Sequence, residues 1–183
     1  LIPGIPHGNN YSTATASAID ADGDELTPDL NLPTQVNSFL LEHGGLASSD
    51  ALYSFVIGGA DIHNAFAVRT AGMLTDTKEG RKAARQAAKN IIKTAVDAEE
   101  TQIRKLISAG AQHILVVNAA DYGSLPITDI ITEQSLALAT SSKQEKRVKR
   151  LPKVATRLSV KFNKYLAKRL VKIEKETGVD IIE

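Results

Sequence analysis

At 183 residues, 43% hydrophobic and with a net charge of +1, the chain can bury a sizeable core as one domain over residues 1–183. Zero Cys excludes disulfides and thiolate metal sites, and no stretch approaches the roughly 20 apolar residues of a membrane span. With 4% aromatic residues, no Trp and one Met, the core has to be built from Ala, Val, Leu and Ile.

His7 lies in a Pro-Gly-rich segment that leads into Gly8-Asn9-Asn10-Tyr11-Ser12-Thr13-Ala14-Thr15-Ala16. Asp20, Asp22 and Asp24 then stand at positions one, three and five, as in a calcium loop. Glu25 occupies the position of that loop's glycine and Asn31 that of its final Glu, so an exposed acidic turn is the favoured reading over a bound Ca²⁺. Residues 34–43 form a short amphipathic helix closed by Gly44-Gly45.

Six of the seven residues 51–57 are apolar or aromatic, which predicts a buried strand. The run breaks into Gly58-Gly59-Ala60-Asp61, where the two glycines allow a sharp turn and a close backbone approach. Ligands of open α/β sheets gather at the carboxyl ends of such strands, so a site is expected here. Asp61 and His63 are close enough to suggest a dyad or metal pair, yet no third ligand or nucleophile accompanies them. Asp61 is therefore read as tying down the turn, with His63 on the helix that follows.

Residues 78–109 predict one long helix or two, with Ile92, Val96, Ile103, Leu106 and Ile107 toward the core. Gly110 suits the left-handed position that ends a helix. Residues 114–117 form a second buried strand, with His113 at its opposite end and Asn118 and Asp121 emerging at its carboxyl end. Residues 142–149 are a polar, basic loop or the start of a helix. Pro152 suits a helix's first turn, and Val154, Leu158, Phe162, Tyr165, Leu166, Leu170 and Ile173 follow at spacings of three and four up to Gly178. Another strand begins at Val179-Asp180-Ile181-Ile182. This alternation predicts an α/β fold, with a parallel sheet and crossover helices.

The near-zero net charge hides an asymmetry. Residues 1–68 carry eight acids and no Lys or Arg, whereas residues 143–175 carry thirteen bases. That run reads as a solvated face, with an anionic membrane surface as the functional alternative and no nucleic acid expected. No Gly-x-Gly-x-x-Gly or Walker loop occurs, no His pair has helical metal spacing, and Ser12, Ser17 and Ser124 lack a nucleophile elbow.

Four segments, in order, resemble the SGNH (GDSL) hydrolase superfamily, especially its bacterial lipase and acylhydrolase branch. Residues 8–16 look like its second conserved block, 32–40 like the helix that follows, and 52–61 like the third block, a strand ending Gly-x-Asn-Asp. Residues 106–126, with 162–166 beyond, resemble the next helix–strand unit and its succeeding helix. The resemblance implies a three-layer α/β/α sandwich with a flavodoxin-like parallel sheet. It implies Ser-His-Asp hydrolysis of an acyl ester or lipid without a cofactor, in an exported bacterial protein. Its site would be lined by Ala14, Thr15, Gly58, Gly59, Ala60, Asp61, Asn118 and Asp121.

The departures from the family bear on activity. No Gly-Asp-Ser block and no Asp-x-x-His segment occurs, so the chain reads as the central part of a longer hydrolase. Ala60 stands where the family places the oxyanion Asn, and Ala14 or Thr15 where it places a glycine. A degenerate family member acting as a binding or scaffold protein is the alternative. An unrelated α/β module whose basic helix meets an anionic partner is the third reading.

Overall fold

The computed structural model describes residues 8–19 and 31–183, and the described residues form an α/β fold in which helices dominate a small parallel sheet. The order is α1 (Leu32–Glu42), β1 (Leu52–Val56), α2 (Gly59–Leu74), α3 (Lys78–Ser108) and β2 (His113–Val117), then a 3-10 turn at Tyr122–Ser124. After the turn come α4 (Pro126–Ala137), α5 (Ser142–Val148), α6 (Leu151–Thr177) and β3 (Asp180–Ile182). The strands lie in the order β1-β2-β3, all parallel, with Phe55 beside Val116 and Ile114 beside Ile181. Both connections are helical crossovers, as parallel neighbours require.

Local chemistry explains where the helices start and stop. Thr77 caps α3 by accepting the Gly80 N–H at 3.1 Å, Ser141 caps α5 by accepting from Gln144, and prolines occupy the first turns of α1, α4 and α6. Gly178 ends α6 with φ 72°. The predicted stripes hold: Ile92, Val96, Ile103 and Leu106 of α3 are buried, as are Val154, Leu158, Phe162, Leu166, Leu170 and Ile173 of α6, while Ile107 and Tyr165 are half-buried against the core. Residues 78–108 form one helix, and the polar 142–148 segment is a short helix of its own.

One expectation about the sheet is corrected. The run at 51–57 promised a strand buried on both sides, but among the described residues β1 is an edge strand with one face bare. Phe55, Ile114, Val116 and Ile181 share the face that packs on the core. Leu52, Val56, Val117 and Ile182 point to the other face and are exposed, Val56 by 73%. An apolar run records that a strand is built for two covered faces; it does not supply the second cover. The segment carrying Asp20, Asp22 and Asp24, and likewise His7, lies outside the described residues.

Candidate functional site

The carboxyl edge of the sheet is organised by α6, which holds the turns that follow β1 and β2. Gly58 follows β1 with φ 98°, and a Cβ there would lie 2.4 Å from Phe162 Cζ. Only glycine meets both the backbone angle and the contact. Asn163, the next residue of α6, clamps the other turn. It accepts the Ala119 N–H and donates to the Ala119 carbonyl, both at 3.0 Å. One helical turn earlier, Ser159 Oγ accepts the Tyr122 N–H at 2.9 Å, and Thr156 donates to Asp121 Oδ2 at 3.2 Å. Gly123 completes the seat, since a Cβ there would fall 2.1 Å from Thr156 Oγ1. The spacing 156, 159, 163 puts all three polar grips along one flank of α6.

The turn at Ala14 and Thr15 joins this edge through Asp61. The Ala18 N–H donates to Asp61 Oδ2 at 2.9 Å, and Ser17 donates to Asn31 Oδ1 at the start of α1. Asp61 is fully buried on the first turn of α2, so the segment that ends at Ala18 and the turn after β1 share one internal tether. Thr15 adopts φ 65°, a left-handed conformation that is costly for a β-branched residue. Replacing Thr15 with Gly should relieve it and raise stability by about 0.5–1 kcal/mol in urea denaturation; a loss of stability would mean that the turn is not strained.

The chemistry available at this edge is hydrogen-bond donation. The first bond of α2 runs from the Ile62 N–H to the Gly58 carbonyl at 2.9 Å. The N–H groups of Gly59 and Ala60 therefore have no intrahelical acceptor, and they stand at the positive end of the helix. The Ala60 methyl adds no donor. Asn118 turns to the end of β3, donating to Glu183 Oε1 at 3.1 Å, and is not gathered toward the turns. Asp121 is spent on its own turn, accepting from the Gly123 N–H and Ser124 Oγ at 2.9 and 3.0 Å.

His63 sits on α2 as expected, and it does not pair with Asp61. Its Nδ1 lies 2.5 Å from Tyr122 Oη, tying α2 to the turn after β2. Burial pushes the Tyr122 phenol up, so it stays protonated at neutral pH. Among the described residues no Ser hydroxyl is hydrogen-bonded to a His, and no group of three His, Cys, Asp or Glu side chains is placed to hold a metal.

Behind the edge lies a feature that the sequence reading missed. Glu99 of α3 is 1% exposed and neither carboxyl oxygen has a hydrogen-bond partner; Asp61 Oδ1 and Gln102 Oε1 are likewise buried and unpartnered. Desolvation, with the charge of Asp61, pushes the Glu99 carboxyl up to about 8. Desolvation also raises Asp61, against the N–H groups of Ala18 and Asp61 itself, which lower it. The signal for Glu99 was present, because positions 92, 96, 99, 103 and 106 follow one another at the core spacing of α3.

The chain matches no protein-family model and no curated protein.

Proposed function

We propose that the chain carries the oxyanion-binding scaffold of an SGNH-type acyl-ester hydrolase. The observation that carries this reading is the shared tether at the sheet's carboxyl edge. The strand–Gly58–α2 turn and the strained Thr15 turn, the two segments that resemble oxyanion blocks, are joined through Asp61 and Ala18. The Gly59 and Ala60 N–H groups, which have no intrahelical acceptor, are donors of the kind that a tetrahedral oxyanion needs. The attacking Ser and its His base would be supplied from outside residues 1–183, and catalysis would follow the Ser–His logic of acyl transfer to water.

The sheet supports the same reading. Among the described residues one face of the sheet is bare and the β1 edge is open, and a groove of about 710 Å³ runs beside β1, lined by Tyr11, Val36, Phe39, Tyr53 and Ile57 among others. A further strand in that groove and a helical layer on the bare face would complete a flavodoxin-like three-layer sandwich.

Ala60 favours a second reading, a family member that has kept the fold for binding. The test between them is release of p-nitrophenol from a short-chain acyl ester by the native protein. Turnover with covalent labelling of a Ser by a fluorophosphonate supports the hydrolase; a folded protein with neither leaves the binding scaffold.

A further inference from the structure

We propose that the solvent face of α6 is a docking surface for an anionic phospholipid bilayer. This does not rest on the hydrolase reading. Of the thirteen bases between residues 143 and 175, the structure removes four from the count of free cations. Arg147 is held by Asp76 at 3.6 Å and by the carbonyls of Met73 and Thr75. Arg169 turns to Asp97 and Glu100 of α3, Lys172 lies 3.8 Å from Glu176, and Lys161 lies over the Tyr165 ring.

What remains on α6 is ordered. Lys153, Arg157, Val160, Lys164, Lys168, Val171 and Lys175 follow at steps of three and four, all exposed. At ~100° per residue they fall within an arc of about 80°, and at ~1.5 Å per residue the stripe runs about 33 Å. It contains five bases, no acid and no ion pair among the described residues. Soluble surfaces usually intersperse the two signs. The opposite end of the sequence is the acidic one, with eight acids and no base in residues 1–68, so the chain carries a segregated charge distribution. A stripe of five exposed bases without an acid steers the face that carries it toward an anionic surface.

Two observations favour lipid over nucleic acid. The stripe's two non-basic positions are valines exposed by 60% and 63%, and it has no aromatic ring on which a base could stack. Helix α4, which packs against α6, exposes Ile127 and Ile130, and Leu138 just after it is exposed by 67%. Basic residues beside exposed aliphatic ones match an interface of phosphate headgroups over acyl chains.

The experiment is co-sedimentation of the native protein with phosphatidylcholine vesicles containing about 30% phosphatidylserine at about 0.1 M salt. Binding should exceed that to pure phosphatidylcholine at least tenfold and be lost in the variant Lys153→Glu/Arg157→Glu/Lys164→Glu/Lys168→Glu. The variant Val160→Asp/Val171→Asp, which keeps every base, should weaken vesicle binding several-fold; circular dichroism of both variants checks that they are folded. Equal binding to neutral vesicles, or none to anionic ones, overturns the proposal. So does tighter binding to a DNA duplex that the valine variant leaves unchanged, which would assign the stripe to nucleic acid.

Discussion

Raising the pH from about 5 to 9 should cost the wild-type protein on the order of 4 kcal/mol of stability through Glu99 alone. The folded protein holds this carboxyl up to about 8, against an ordinary value of 4.5. Between those values the folded state keeps a proton that the unfolded chain has released. Stability from this group is therefore complete below about pH 4.5 and is lost as the pH rises through about 8. Above that, the protein has to bury a carboxylate near Asp61 with no donor on either oxygen. Glu99→Gln keeps the shape and removes the titration. Urea unfolding at pH 5 should give the two proteins similar stabilities, within the ~1–3 kcal/mol of an unpaired amide. At pH 9 the variant should be the more stable. The difference between the two pH profiles isolates Glu99 from every other titrating group, and two parallel profiles would sink the assignment.

How much of this was legible in the sequence depends on the range of the interaction that decides each feature. Helix faces are local, so the stripes of α3 and α6 could be read from spacing, as could the left-handed glycines 110 and 178. Gly58 was legible as a turn, but its second reason, the Phe162 ring 104 positions away in the chain, was not. The Asn163 clamp on Ala119, the Ser159 grip on Tyr122 and the His63–Tyr122 contact span 44, 37 and 59 positions, and no periodicity encodes them. β1 shows the converse. Its composition is that of a strand covered on both faces, and whether a second layer exists is a tertiary fact. Glu99 hid for a different reason: its neighbours Asp97 and Glu100 make it look like part of a solvated acidic patch, and only the helical period separates it from them.

On the hydrolase reading, the substitution Ala60→Asn should raise p-nitrophenyl ester turnover by roughly 10²–10³, equivalent to about 3–4 kcal/mol of transition-state stabilisation. Ala60 is half-buried on the first turn of α2, two residues after Gly58, the αL residue that ends the β1 run. The backbone N–H groups of Gly59 and Ala60 already stand there without intrahelical acceptors, so the missing element is a side-chain donor. An Asn amide supplies it without altering the turn, because the φ 98° angle is carried by Gly58. Stabilisation of an oxyanion that exists only in the transition state should appear in kcat and leave KM nearly unchanged. Ala60→Asp is the control of the same size: it brings acceptors instead of donors and negative charge to where negative charge develops. A gain with Asn and none with Asp would identify the donor as what limits the rate. No gain in a variant that folds and is labelled by a fluorophosphonate would show that the two backbone donors already suffice. No gain and no labelling would leave the edge of this sheet as a binding surface that has kept its oxyanion turns without the nucleophile they serve.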